Sequence, residues 1–333
     1  MSKNRENSAL HDSIMSAMRN LNRVGKSKHQ AKQEAIKKAH DNGVFDMREI
    51  KTEGIYSSKT WGQYLEIGMK FADWMQEHHA DADVRRISYA YKQGYCEEYV
   101  QERIDRGFSP YTIARDCSAL AKICGVTSDD IYADRPSRSI RGITRSREYT
   151  EAGFKRDIKR YGDVVEFERI IGTRRVELQH VAASDFSFHA DGSATCHLDG
   201  KRHETKGGKD RDIYIQPDNV DRLKTIIDAS QKPADEPLFP YIPKNIDVHG
   251  IRAMYAGDLY NYLRRPYEAI EGKRDDVKPY RNRNKIYRTA PSVLENKKGG
   301  KFDRQALKTV SESLGHNRVQ VISDHYTRFC KSY

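Results

Sequence analysis

The apolar pattern of this 333-residue chain changes period near residue 170, and that change limits the folds open to it. Upstream, each readable apolar stripe recurs at spacings of three and four, the period of a helix face turned toward a core. Trp61, Tyr64, Ile67, Phe71 and Trp74 form one such stripe, whose ordinary meaning is packing. Ile113, Cys117, Leu120 and Cys124 form a second, opened by Ser109 as N-cap with Pro110 in the first turn and stopped by Gly125. The opposite face of that helix carries Tyr111, Thr112, Arg115 and Lys122, which suit a groove or a phosphate backbone. Downstream, SDFSFH and ATCHL alternate around the turn ADGS, and KGGKDR turns into DIYIQP. Helices follow on HGIRAMYAGDLYNYL, on DRQALKTVSESL with Asp303 as N-cap and Gly315 past its end, and around Tyr326. The expected fold is mainly α with a small antiparallel β-sheet, a helical bundle followed by a mixed α/β domain.

A chain of this length exceeds one compact core. Residues 1–56 read as a basic helical extension, with a helix on SKHQAKQEAIKKAHDNG ended by Gly43; an accessory DNA-binding arm and a mobile leader both fit. Residues 57–132 read as the helical domain. Pro136, Gly142 and interleaved Ser and Arg make 133–152 a basic linker. The mixed domain, 153–333, opens with one helix through VVEFERIIGTRRVELQHV and carries a basic insert at about 264–301.

The formal net charge is +11. Arg135–Arg160 holds nine Lys/Arg against three Asp/Glu, and Arg264–Lys301 twelve against five, so two stretches carry the whole surplus. A single charge run is usually a solvated face. Two that hold all the excess point to a polyanion, and charge alone leaves nucleic acid and an anionic membrane both open. Candidate DNA contacts there are Arg138, Arg141 and Arg145 in the linker and Arg281, Arg283, Lys285 and Arg288 in the insert, joined by Lys209 and Arg211 at the Gly-rich turn. Five cysteines without a C-x-x-C pair fit a reducing compartment and argue against structural zinc. The polar start and the lack of a long apolar run predict a soluble cytoplasmic protein with no membrane partner. Cys196, His197, Asp199 and His203 have ligand-type side chains, but strand alternation sends neighbours to opposite faces, so no metal is expected. His78 and His79 read as a helix C-cap.

Six residues carry the chemistry: Arg174, Lys206, His249, Arg252, His316 and Tyr326. A phosphodiester resists attack because its oxygens are anionic, and fixed cations lower that barrier by facing the charge that develops. Arg174 and Arg252 offer planar forks to phosphate oxygens. A phenol with a pKa of about 10 needs a base or nearby cations, which His249 and His316 can supply. Lys206, on its hairpin, would protonate the departing 5′ oxygen. Taken singly, each residue has a bland reading: a surface ion pair, an exposed helical pair, a hairpin lysine, a C-cap, one tyrosine of twenty.

In this order, GTRRVEL at 172–178, KGGKDR at 206–211, HGIR at 249–252, LGH at 314–316 and Tyr326 resemble the signature of the tyrosine recombinase (integrase) family. RGFSPYTIARDCSALAKICG is similar to part of that family's core-binding domain, so the likeness spans roughly residues 57–333. It implies a helical, SAM-like core-binding domain and a mixed α/β catalytic domain forming a C-shaped clamp on DNA. It also implies a 3′-phosphotyrosyl intermediate without nucleotide cofactor or metal, double-stranded DNA recombination sites as substrate, and a homo-tetramer exchanging strands on two duplexes through a Holliday junction. A mobile element's integrase fits this set, with host DNA-bending or directionality factors as further partners. A type IB topoisomerase-like enzyme and a DNA-binding regulator without catalysis are the rivals. The chain departs from the family in three places: the His316–Tyr326 spacing is one residue longer than usual, the 264–301 insert replaces a short connection, and few residues follow Tyr326 to supply a long C-terminal helix.

Overall fold

The computed structural model describes residues 7–46, 50, 52–138, 149–272, 285–289 and 300–333. The chain divides into two units, Met1–Arg138 and Ser139–Tyr333.

The first unit is helical: α1 Asn7–Leu21, α2 Lys28–Asp41, α3 Ser58–His78, α4 Ile87–Lys92, α5 Tyr95–Asp105, α6 Pro110–Cys124 and α7 Ser128–Ile131. The α3 stripe faces inward, with Ile67, Phe71 and Trp74 buried and Trp61 and Tyr64 packed at the margin. In α6 the Ser109 hydroxyl accepts the Thr112 N–H at 3.2 Å, and Gly125 turns the chain out at φ 76°. Ile113, Cys117 and Leu120 are buried as their spacing predicts. Asp116 is buried beside them because Arg103 Nε donates to it at 2.6 Å, a pairing across two helices that α6 alone does not signal. His79 is the C-cap of α3, and His78 Nδ1 lies 3.0 Å from the Trp74 carbonyl.

Part of the segment before residue 57 packs with the helices that follow it. α1 places Leu10, Ile14 and Met18 in the same core, and Gly68 on α3 makes room for it: a Cβ there would lie 2.7 Å from Ile14 Cγ2. The basic composition of the segment hid an i, i+4, i+8 apolar row in α1. α2, in contrast, buries no residue.

The first described element of the second unit is α8 Glu151–Tyr161, capped by Thr150 inside what the sequence assigns to the linker. The helix expected through 164–181 breaks into α9 Asp163–Ile171 and α10 Arg175–Leu178. Gly172, at φ 57°, makes the break, and a Cβ there would meet the Tyr255 ring at 2.2 Å. β1 Phe186–Phe188, β2 Ala194–Leu198 and β3 Arg211–Ile215 form an antiparallel sheet with Cys196 opposite both Phe186 and Ile213. α11 Val220–Ser230, unmarked by any motif, precedes α12 Val248–Leu263. α12 is buried on nearly every side, as befits a central helix. α13 Tyr267–Ile270 leads into the insert, whose stem pairs β4 Ile286–Arg288 with β5 Lys301–Asp303. Ile286 and Phe302 anchor that stem by burial. α14 Arg304–Ser313, capped by Asp303, and α15 Val319–His325 complete the unit.

The outcome is mainly α with small antiparallel sheets, as expected. Arg141, Arg145, Arg281 and Arg283 lie outside the described residues. Among the described residues no helix is long and apolar enough to cross a membrane.

Candidate active site

Each chemically loaded residue in the second unit is aimed by a local device. Arg174 precedes α10; its backbone N–H donates to Glu177 Oε2 at 2.7 Å and its Nη1 to Oε1 at 2.6 Å, so one carboxylate closes the helix and fixes the guanidinium. His249 and Arg252 sit three apart on α12, hence on one face, and Asp247 sets the start of that helix by accepting the Gly250 N–H at 2.9 Å. His316 follows α14 through Gly315 at φ 69°, and its N–H donates to the Ser311 carbonyl at 2.7 Å. Tyr326 ends α15, its N–H donating to the Ile322 carbonyl at 2.8 Å. Lys206 is exposed in the loop between β2 and β3.

Long-range contacts gather these pieces. The Leu314 carbonyl accepts from Nη2 of Arg174 at 3.3 Å and from Nη2 of Arg252, which also donates to the Gly172 carbonyl. Glu177 accepts a two-pronged pair from Arg211 at 2.9 and 2.6 Å, with Arg252 Nη1 4.0 Å away. The Tyr326 ring lies near both imidazoles, 5.5 Å from His249 and 5.8 Å from His316 between centroids. Arg174, Lys206, Arg211 and His316 line one cavity of about 860 Å³.

The local charge is strongly positive. Burial alone would raise the Glu177 pKa, but Arg211, Arg174 and Arg252 hold it at about 2. One carboxylate thus faces three guanidiniums. Glu168, fully buried below Thr173, does not redress the balance near neutral pH: desolvation lifts its pKa to about 8 although the Thr173 hydroxyl donates to it at 2.7 Å. Burial, then Arg252, Arg174, Lys206 and Arg211, push His316 down to about 4. Burial and Arg252 lower His249 as well. Both imidazoles are therefore neutral at pH 7. His316 Nε2 is buried and has no hydrogen-bond partner among the described residues. Orphaned buried nitrogens are rare, and an anionic oxygen in this cavity would satisfy it.

The sequence-derived DNA contacts divide. Tyr111 and Arg115 are exposed on α6, whereas the Thr112 hydroxyl lies 3.0 Å from the Ser109 cap. Lys122 is engaged within the chain: its ammonium donates to the Thr52 carbonyl at 2.6 Å. Arg211 is engaged likewise, since Glu177 and the Ser313 carbonyl accept from all three of its nitrogens and its side chain is 8% exposed. Arg138, Lys209 and Arg288 are exposed and Lys285 is half-buried. Of the ligand-type cluster, Cys196 is buried, His197 pairs outward with Asp212 at 2.7 Å, and His203 is buried against Asp185 at 2.9 Å. Two participants went unassigned in the sequence. Glu177 stands inside GTRRVEL and was open to reading; the Leu314 carbonyl has no side-chain signal.

No protein-family model and no curated protein matches the chain. Among solved structures, the chain is similar to XerH site-specific recombinase bound to difH substrate in a pre-cleavage complex, with 12% identity and a TM-score of 0.47 over 97% of this chain and 93% of that one. The post-cleavage complex of XerH with palindromic difH gives 13% identity and a TM-score of 0.45 over 98% and 93%. XerA recombinase gives 14% identity and a TM-score of 0.31 over 81% and 88%.

Proposed function

We propose that this chain is a tyrosine recombinase, a DNA strand transferase working through a 3′-phosphotyrosyl intermediate. One observation carries the reading: two guanidiniums clasp the carbonyl of Leu314, two residues before His316, while His316 and His249 lie near the ring of Tyr326. Five motif residues separated by up to 152 positions thereby share one positively charged place, and the sixth, Lys206, lines the same cavity as Arg174 and His316.

In this reading the scissile phosphate lies against Arg174 and His316 Nε2, with Arg252 behind. Arg252 gives two N–H groups to carbonyls and keeps the rest of its fork for the phosphate. The Tyr326 oxygen attacks phosphorus as a neutral imidazole takes its proton. The bond from phosphorus to the 5′ oxygen breaks, and a Lys206 proton passes to that oxygen. The products are a 3′-phosphotyrosyl link and a free 5′-hydroxyl, and reversal with another 5′-hydroxyl rejoins DNA. The guanidiniums stabilise charge that grows on the equatorial oxygens.

The wider proposal is site-specific recombination of a mobile element by a homo-tetramer on two duplexes, with a Holliday junction between exchanges and host factors setting direction. The helical first unit, with Tyr111 and Arg115 outward, serves as the core-binding domain. The test uses a nicked suicide substrate carrying the site the protein protects in a footprint, in EDTA. A covalent adduct on a denaturing gel that disappears with Tyr326→Phe, binding retained, supports the reading. An adduct surviving that change moves the nucleophile elsewhere. Relaxation of a plasmid lacking the site would identify a topoisomerase-like enzyme, and binding without an adduct a regulator.

A further inference from the structure

The loop that presents Lys206 is tied down along its length. The Asp199 carboxylate accepts the N–H groups of Lys201 and Arg202 at 3.0 and 2.7 Å, and Asp210 accepts that of Gly200 at 2.7 Å. The Thr205 hydroxyl donates to the Lys209 carbonyl at 2.7 Å. Gly200 presses on the opposite limb so closely that a Cβ would lie 2.4 Å from the Gly208 carbonyl carbon. Glu204 takes φ 49°, a conformation non-glycine residues rarely adopt.

Beneath this loop, three residues before Lys206, His203 is wholly buried. Its Nε2 is 2.9 Å from Asp185 Oδ2 and its Nδ1 3.1 Å from the Asp199 carbonyl. Asp185 is itself buried, accepts the Ala182 N–H at 2.8 Å and pairs with the Arg202 guanidinium. Both partners of the imidazole are acceptors, so full pairing favours the imidazolium, whereas burial and Arg202 lower its pKa. The bond to the carboxylate survives either way, because a neutral ring donates from one nitrogen. Burying a polar pair costs more than burying apolar groups of the same size, so packing alone gives no reason for it. What the pair does is join the Lys206 loop to the chain segment that enters β1.

We propose that His203, acting through Asp185, is a positioning residue for Lys206: it holds the loop base so that the ammonium stands at the departing 5′ oxygen. The inference rests on the reading of Lys206 as the general acid. In that step the bond from phosphorus to the 5′ oxygen breaks and a proton moves from Lys206 Nζ to the oxygen. If sulfur replaces that bridging oxygen, it leaves as a thiolate and needs no proton.

Single-turnover cleavage by the full-length protein is therefore compared on suicide substrates with a 5′-bridging oxygen and a 5′-bridging sulfur. His203→Ala is expected to slow cleavage of the oxygen substrate about 10- to 100-fold, part of what general acid catalysis supplies. On the sulfur substrate it should cleave within about threefold of the parent, with unchanged DNA affinity. His203→Gln, which keeps a donor, should recover most of the rate. Equal slowing on both substrates would mean a structural role only and overturn the proposal. Lys206→Ala is the reference: if sulfur fails to relieve it, the assignment of the acid falls and this inference with it. If sulfur relieves Lys206→Ala but not His203→Ala, this inference falls alone. Should His203→Ala fail to fold, Arg202→Ala, at a side chain 44% exposed, is read the same way. It should show a smaller slowing that sulfur relieves, and absence of that pattern overturns the proposal.

Discussion

His316 is the residue on which the site's electrostatics can be measured, because burial and four cations all oppose its protonation. An unfolded histidine titrates near pH 6.5. In the folded chain the value is about 4, so between those values the unfolded state binds more protons. The stabilisation is complete above about pH 6.5 and is lost as pH falls through that window toward 4. His249 contributes with the same sign. Replacing His316 by Gln should flatten the fall of Tm across this range, and an unchanged slope would contradict the environment described. A phosphate beside the orphaned Nε2 reverses the balance and raises the pKa. DNA binding at about pH 5–6 should therefore take up a proton in calorimetry across buffers of different ionisation enthalpy. His316→Gln should abolish that uptake. At Glu177, 1% exposed, the Gln substitution keeps the shape but leaves Arg174, Arg211 and Arg252 without their carboxylate. Breaking a buried ion pair in this way costs about 3–5 kcal/mol, which urea unfolding would register.

At the level of elements, the break between α9 and α10 decides where Arg174 stands. Gly172 has both a left-handed φ and a ring against its Cα, so Gly172→Ala incurs strain and overlap together. A loss of about 2–4 kcal/mol in urea unfolding is expected, on the scale of overpacking plus a disallowed backbone. Adduct formation should fall further than stability alone explains, since Arg252 holds the Gly172 carbonyl. A Tm within a degree of the parent would contradict this. The break was passed over because apolar residues on both sides of Gly172 keep a helical spacing, although Gly172 is the same kind of left-handed stop as Gly125; Thr173 beside it caps nothing and turns its hydroxyl to Glu168 instead. The ends of α6 and α14 were legible because their caps are local: Ser109, Gly125, Asp303 and Gly315 stand where short-range hydrogen bonds need them. The small antiparallel sheet followed from alternation around local turns for the same reason. The clasp on Glu177 was not legible, because Arg211 lies 34 residues away and the pairing belongs to tertiary structure.

Over the whole molecule, composition located the excess charge but not which cations are already occupied. Lys122 and Arg211 stand among the candidate contacts yet are already bonded within the chain, and a basic side chain reads alike in sequence whether it meets solvent or a carbonyl of its own chain. The same holds for α1, where lysines and arginines nearby masked three apolar residues that join the core of the first unit. Exposure now sorts the candidates into two groups with opposite expectations. Arg115 on the first unit and Lys209 and Arg288 on the second face solvent, so each is available to displace counterions from a phosphate. Changing each to Gln should reduce the steepness of log K against log salt by about 0.9 for every phosphate that is no longer neutralised. Lys122→Gln should leave the slope unchanged and instead lower the Tm, because its ammonium ties α6 to the segment before α3. Measuring binding of one duplex across a salt series for these four variants separates the groups. A slope change with Lys122→Gln, or none with the other three, would mean that the DNA path does not follow the exposed cations and that another surface bears the duplex.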